Sequence, residues 1–81
     1  PQFMVNVRVS DKAAVQNDPD VQQAVAEVDK FLGGSGRILV RPSGTEPVIR
    51  VMVEAETKHL CQECVGQVVE VIRRKGYEAQ R

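Results

Sequence analysis

The sequence predicts an α+β fold: a small two-layer sandwich whose mostly antiparallel sheet carries two helices on one face. Three observations support this prediction. Three short segments alternate apolar and polar residues, which is typical of half-buried strands. Two longer segments repeat apolar residues at helical spacing, and a glycine follows each of them. The resulting order is strand, helix, strand, strand, helix, and residues 77–81 are long enough to add a short edge strand.

The first half of the chain contains one strand and one helix. Residues 3–9 alternate and predict a strand, whereas the polar segment 10–17 predicts a loop. Asp18 is an expected N-cap, and Pro19 suits the first helical position. Gly33 should end this helix because glycine adopts the left-handed conformation at little cost. The predicted apolar face consists of Val21, Ala24, Val25, Val28, Phe31 and Leu32.

The second half contains two strands and a helix. Residues 37–41 and 48–55 predict strands, with a turn-rich loop at 42–47 between them. Thr57 is the expected N-cap of the second helix, and Gly76 should end it. The predicted apolar face of this helix consists of Leu60, Cys61, Cys64, Val65, Val68, Val71 and Ile72.

Composition limits the classes of function. The chain has 81 residues, 42% of them hydrophobic, which fits one small packed domain. Lys plus Arg and Asp plus Glu both total 11, and aromatic residues are few, so a nucleic-acid partner is not expected. No apolar run or leader pattern predicts a membrane partner or export, and the two cysteines are expected to stay reduced in the cytoplasm. Because the sequence begins at Pro1, we expect residues 1–81 to be a single domain of a larger protein.

The loop between the second and third strands has the residue types of an anion site. Successive N–H groups around Ser43, Gly44 and Thr45 are able to turn toward one point, and the two hydroxyls add donors. Gly44 permits a positive φ and a close ligand approach. Arg41 before the loop and Arg50 after it add guanidinium groups that match phosphate geometry.

A Pro-Ser-Gly-Thr stretch between strands is also typical of an ordinary turn, so spacing alone leaves both interpretations open. Glu46 opposes an anion site unless it points away or pairs with an arginine.

The segment 36–54, GRILVRPSGTEPVIRVMVE, closely resembles the last domain of phosphoglucosamine mutases, in the α-D-phosphohexomutase superfamily. Those enzymes carry an Arg-Pro-Ser-Gly-Thr-Glu-Pro loop, matched at 41–47, and then a strand of the type x-Ile/Val-Arg-Val-Met-x-Glu, matched through Glu54. The residues 5–7 and 36–37 also resemble this domain, whereas 10–17 and the surface of the second helix resemble it less.

The resemblance implies a fold like that of the TATA-binding protein and a place in a four-domain enzyme that interconverts glucosamine 6-phosphate and glucosamine 1-phosphate. It implies a phosphoserine in the first domain, a Mg²⁺ site in the second, and a fourth domain that binds the phosphate that is not reacting. By motif position, the residues implied to bind that phosphate are Arg41, Ser43, Gly44 and Thr45, with Arg50 as a supporting cation.

The phosphoserine, metal and sugar-recognition motifs of the family are missing from these 81 residues. We therefore expect no catalytic residue, metal or cofactor in the chain itself, and no mutase activity from it alone. The expected partners are a sugar phosphate and the other domains of the enzyme. Two alternatives stay open: the same domain of a phosphomannomutase or phosphoglucomutase, and a small non-enzymatic α/β binding or interaction module.

Three other features have structural interpretations. Cys61 and Cys64 form a C-x-x-C pattern, but both lie on the predicted apolar face, which indicates core residues. His59 is expected to be a solvated residue near the start of the second helix. The basic residues 73–75 fit the end of that helix, where cations interact favourably with the helix dipole.

Overall fold

A computed structural model describes residues 1–79 of the chain. Three strands, β1 (Gln2–Arg8), β2 (Arg37–Pro42) and β3 (Val48–Glu54), form one sheet in the order β1-β3-β2. Both pairings are antiparallel. The helices are α1 (Lys12–Asn17), α2 (Pro19–Leu32) and α3 (Lys58–Arg74), with a short 3₁₀ turn at Gly33–Ser35 after α2. This architecture confirms the predicted α+β sandwich. Within the described residues, no helix is long and apolar enough to cross a membrane.

The alternating residues of the strands separate the two faces of the sheet. Val7, Ile49 and Val51 lie on the face that packs against the helices, and each is at most 4% exposed. α2 packs against β2, and α3 packs against β1 and β3. The opposite face, here called the outer face, carries Arg50 and is largely exposed, although Val48 at its loop end is buried. The predicted facing of all three strands is therefore confirmed.

Side chains and glycines set the helix ends where the sequence placed them. The Asp18 carboxylate accepts hydrogen bonds from the amides of Asp20 and Val21 at the start of α2. Thr57 Oγ1 accepts from the Leu60 amide at the start of α3. Gly33, with φ of 56°, ends α2. These contacts confirm both predicted N-caps and the first predicted helix stop.

Two predictions in the first half of the chain are wrong. Residues 12–17 form helix α1 and not a loop, because Asp11 accepts a hydrogen bond from the Ala14 amide and Val15 is fully buried. A single buried residue in six gives no visible helical period. Phe31 was placed on the apolar face of α2 but is 70% exposed. At about 100° per residue it lies roughly 80° around the helix from Val21, outside the buried stripe.

Beyond α3 the chain runs antiparallel to the end of β1. Gly76, with φ of 83°, turns the chain, and Val9 then forms a single bridge with Glu78. The Ser10 amide donates to the Tyr77 carbonyl at 3.0 Å, and the Ala79 amide donates to the Arg8 carbonyl at 2.9 Å. The predicted edge strand is thus reduced to one bridge in the described part, while residues 80 and 81 of that prediction lie outside it.

A buried carboxylate joins this final segment to α2. Asp18 is 7% exposed, and its Oδ2 accepts a hydrogen bond of 2.6 Å from the Tyr77 hydroxyl. Lys75 Nζ lies 3.5 Å from the same oxygen and donates to Asp20 at 2.8 Å. The Tyr77 hydrogen bond, together with the amides at the helix start, lowers the pKa of Asp18 despite its burial. The same hydrogen bond raises the pKa of Tyr77, since it favours the neutral hydroxyl.

Candidate functional site

The candidate site is the hairpin loop that joins β2 to β3, residues 43–47, with the strand ends beside it. The Ser43 amide donates to the Val48 carbonyl at 2.9 Å, which closes the hairpin. The Val9 amide donates to the Pro47 carbonyl at 2.9 Å, which ties the loop to the end of β1. These bonds fix both ends of the loop on the sheet, while most residues between them stay exposed.

Arg41 and Arg50 are direct partners on neighbouring strands, and both are exposed on the outer face. Asn6 lies opposite Arg50 on the other side, so the three side chains form one row beside the loop. Like charges directly opposite one another in a sheet are destabilising. Within residues 1–79 neither arginine forms an ion pair with an acidic side chain. Arg41 and Arg50 therefore occupy paired positions beside the loop, and among residues 1–79 the fold gives neither of them an acidic partner.

The Ser43 hydroxyl is oriented by the loop itself. Its Oγ lies 3.4 Å from the Thr45 amide and 3.3 Å from the Glu46 amide and accepts from both. Two acceptor bonds leave the hydroxyl proton free to donate to another group. The expectation that the amides of Ser43, Gly44 and Thr45 would all point at one ligand is wrong for two of them: the Ser43 amide donates to the Val48 carbonyl, and the Thr45 amide donates to Ser43 Oγ.

Gly44 has the one amide in the Ser-Gly-Thr stretch without a hydrogen-bond acceptor among residues 1–79. Its φ is not in the left-handed region, so the permitted positive φ is not used. A Cβ built at Gly44 would meet no atom within 4 Å. Neither backbone conformation nor packing within the described residues therefore demands glycine here, and the amide is open to an approaching ligand.

Lys12 is a neighbour of the loop that the sequence did not reveal. Its Nζ donates a hydrogen bond of 2.7 Å to the Ser43 carbonyl oxygen, and the side chain is half-buried. The two residues are 31 positions apart, and the contact depends on α1, which was predicted to be a loop. The one signal for α1 in the sequence was Asp11, a typical N-cap residue, followed four positions later by the apolar Val15.

Glu46 is exposed and forms no ion pair with an arginine in the part of the chain that the structure describes. Of the two conditions under which an anion site tolerates this residue, pairing with an arginine is not met. Glu46 contributes to the loop through its backbone, because its carbonyl accepts from the Val48 amide at 2.8 Å.

The residues interpreted as structural lie away from this loop. Cys61 is fully buried and Cys64 is 2% exposed, which confirms that they are core residues. Burial raises the pKa of the Cys64 thiol, so it remains protonated near neutral pH. The side chain of His59 is 80% exposed and lies 3.3 Å from Glu63. Among residues 1–79 no group of three or more His, Cys, Asp or Glu side chains could hold a metal ion.

Comparison with known families assigns the chain to one of them. The family described as "Phosphoglucomutase/phosphomannomutase, C-terminal domain" matches residues 4–71, which include the loop, both arginines, β2, β3 and most of β1. The chain belongs to this family. The resemblance inferred from the 36–54 segment is thereby confirmed.

Curated relatives of this C-terminal domain family are similar over nearly the whole chain. The phosphoglucosamine mutase of Bacillus subtilis is 58% identical over 73 residues, which are 90% of this chain and 16% of that protein. The phosphoglucosamine mutase of Lachnospira eligens is 56% identical over 77 residues, which are 95% of this chain and 17% of that protein. The chain thus spans about a sixth of the length of these relatives.

Solved structures of the same superfamily share the fold. An N-acetylglucosamine-phosphate mutase, a member of the alpha-D-phosphohexomutase superfamily in its substrate complex, has a TM-score of 0.72 at 28% identity. It matches 89% of this chain with 15% of its own length. The Aspergillus fumigatus N-acetylphosphoglucosamine mutase in complex with GlcNAc-6P and magnesium has a TM-score of 0.74 at 25% identity. It matches 94% of this chain with 16% of its own length.

Proposed function

We propose that the chain is the single C-terminal, fourth domain of a phosphoglucosamine mutase, and that its hairpin loop binds the phosphate of the sugar phosphate that is not reacting. The observation that carries this proposal is the pair Arg41 and Arg50, placed opposite each other without an acidic partner in the described chain. Two cations in this arrangement cost stability unless an anion binds between or beside them. The names of the curated relatives support the choice of phosphoglucosamine mutase over the other mutases of the family.

The groups at the loop match a phosphate monoester. Such a group carries a charge of about −1.5 to −2 at neutral pH and three acceptor oxygens. Arg41 and Arg50 supply charge and paired N–H donors, the Gly44 amide supplies a backbone donor, and Ser43 supplies its hydroxyl proton. Thr45 adds an exposed hydroxyl on the same loop. Paired N–H donors and positive charge match a phosphate better than a neutral sugar hydroxyl, so we expect this loop to recognise the phosphate and not the sugar.

That lack of sugar recognition suits the reaction we propose for the longer enzyme, the interconversion of glucosamine 6-phosphate and glucosamine 1-phosphate. A bisphosphate intermediate has to present either phosphate to the reacting serine, so this loop has to hold the 1-phosphate and the 6-phosphate in turn. The contribution of the domain is then binding energy used for positioning. The described residues of this chain do not fit a Mg²⁺ site, so magnesium belongs to the other domains in this proposal.

The first experiment is a titration of the 81-residue chain with inorganic phosphate, glucosamine 6-phosphate and glucosamine 1-phosphate, followed by amide chemical shifts. We expect the Gly44 amide to move most, with all three ligands, at a Kd of about 1 mM or ~−4 kcal/mol, because one domain supplies only part of a cleft. Shifts confined to α3, or none at all at tens of millimolar ligand, would contradict the assignment of the site. A single-stranded oligonucleotide titrated in parallel tests the alternative of a nucleic-acid module.

The second experiment uses the longer enzyme. Loss of the charge-assisted hydrogen bonds in Arg41→Ala, worth about 1.5–3 kcal/mol, should lower kcat/KM roughly 10- to 100-fold. The factor should be the same in both directions, since the overall equilibrium is fixed by the two sugar phosphates. Unchanged kcat/KM in both directions would exclude Arg41 from phosphate binding.

A further inference from the structure

Lys12 contacts the hairpin loop through a side-chain hydrogen bond that joins residues 31 positions apart. Its Nζ lies 2.7 Å from the Ser43 carbonyl oxygen, and the side chain is half-buried. The lysine is carried there by α1, whose Val15 is fully buried. Helix α1, which Val15 anchors in the core, therefore positions the Lys12 ammonium group against the Ser43 carbonyl.

This contact has a consequence for the neighbouring amide. The Ser43 carbonyl and the Gly44 N–H belong to the same peptide unit, which is trans. In a planar trans peptide the C=O and N–H bonds point in opposite directions. When Lys12 holds the carbonyl, the Gly44 N–H is directed away from the lysine. Of the amides of Ser43, Gly44 and Thr45, this is the one without an acceptor among residues 1–79.

The other polar groups of the loop do not fix that peptide unit. The Ser43 amide belongs to the preceding peptide, and the Ser43 Oγ accepts from the amides of Thr45 and Glu46 beyond it. Without Lys12, the Ser43–Gly44 peptide would have no hydrogen bond among residues 1–79, and rotating it would change the direction of its N–H.

We propose that Lys12 is a positioning residue of the phosphate site: its ammonium group fixes the Ser43–Gly44 peptide so that the Gly44 amide is preorganised to donate to a bound phosphate. This inference rests on the proposed phosphate-binding function of the loop. The positive charge of Lys12 adds a weaker attraction that salt screens, whereas the orientation of the peptide does not depend on salt.

The test compares Lys12→Gln, Lys12→Arg and the control Lys30→Gln in the 81-residue chain, titrated with inorganic phosphate. Lys30 is exposed at the end of α2, so the control removes the same charge away from the loop. We expect Lys12→Gln to bind phosphate roughly three- to tenfold more weakly, at low and at high salt alike. Its Gly44 amide resonance should already be shifted before phosphate is added. Lys12→Arg should restore affinity to within about twofold, and Lys30→Gln should bind like the parent chain.

The outcomes separate the two proposals. If the parent chain does not bind phosphate, both the proposed function and the proposed role of Lys12 are refuted. If the parent chain binds but Lys12→Gln binds equally well, only the role of Lys12 is refuted. A loss that disappears at high salt with an unmoved Gly44 resonance shows that Lys12 acts as a charge alone, which also refutes positioning. If Lys12→Gln does not fold, Lys12→Met is measured in its place, and failure of both to fold makes Lys12 a structural residue and overturns the proposal.

Discussion

Replacing Arg41 with Gln should separate the binding function of this chain from its stability. Gln keeps part of the aliphatic stem and removes the charge and the paired donors. Charge-assisted hydrogen bonds to a phosphate contribute about 1.5–3 kcal/mol, and about 1.4 kcal/mol is a factor of ten. The Kd for inorganic phosphate should therefore rise about 10- to 100-fold. From a starting value of about 1 mM, such a loss would leave no saturable binding in a practical titration.

Stability should change in the opposite direction. Arg41 has no ion pair in the described chain and faces Arg50 directly across the sheet. Removing one of two like charges should leave the free energy of unfolding unchanged or raise it by a few tenths of a kcal/mol. A gain in stability together with a loss of binding is what a residue retained for its ligand should show.

The matched control lies on the same strand and the same face. Arg37 is four residues before Arg41 on β2, and its Nε donates to Glu54 at 2.7 Å. Both side chains of that pair are well exposed, at 62% and 41%, so Arg37→Gln should cost at most about 1 kcal/mol of stability. Its phosphate affinity should equal that of the parent chain.

Urea unfolding followed by circular dichroism measures the stabilities, and amide titration with phosphate measures the affinities. The reasoning is refuted if Arg41→Gln keeps its affinity for phosphate. It is also refuted if both variants lose affinity to the same extent, because binding would then reflect overall charge and not the site.

Three further predictions concern the fold. Gly36→Ala should lower the free energy of unfolding by about 1–3 kcal/mol, because its Cβ would overlap the carbonyl oxygen of β3's last residue, whereas Gly44→Ala should be neutral in the same urea titration. The lowered pKa of Asp18 predicts stability that is present above the unfolded-state pKa of about 3.9 and is lost as pH falls through the folded value. The stability difference between the parent chain and Asp18→Asn should accordingly shrink below about pH 4, and a difference that stays constant from pH 7 to pH 3 would exclude the Tyr77 hydrogen bond as its source. The raised pKa and burial of Cys64 predict that a thiol reagent at pH 8 labels it only when the chain opens, so labelling should speed up in urea and a fast reaction in the folded chain would contradict its position in the core.

The sequence was informative where local chemistry decides the structure. Asp18 followed by Pro19 marks a helix start because the carboxylate satisfies free amides and proline needs no donor at that position. Alternation predicted which strand residues are buried, since one face of this sheet packs on the helices and the other is open. The helix cap and the strand alternation each depend only on residues close to one another in the sequence.

What the sequence did not show depends on contacts between distant segments. The hydrogen bond from Tyr77 to Asp18 joins residues 59 apart, and the bond from Lys12 to Ser43 joins residues 31 apart. Neither pair has a local pattern. At the loop, Arg41 and the Ser-Gly-Thr stretch are neighbours in the sequence and could be proposed together. The sequence could not show that the Ser43 amide donates to the Val48 carbonyl in the hairpin.

Some residues of the candidate site are not explained by what the fold requires. Gly36 is glycine because a Cβ would overlap a neighbouring strand, and Gly33 is glycine because its φ is positive. Gly44 meets neither condition. Elsewhere Arg37 and Arg73 are neutralised by Glu54 and Glu78, at 2.7 and 3.0 Å.

Arg41 and Arg50 instead lie directly opposite each other, and no acidic side chain among residues 1–79 compensates their repulsion. Two arginines directly opposite each other in the sheet, without an acidic partner among residues 1–79, indicate that a ligand supplies the missing interactions. Within residues 1–79, two arginines without an acidic partner, one amide without an acceptor and one available hydroxyl proton together favour a negatively charged ligand that accepts hydrogen bonds. A neutral or cationic ligand would leave the two arginines uncompensated, so phosphate should protect the Gly44 amide from hydrogen exchange, and choline at equal ionic strength should not.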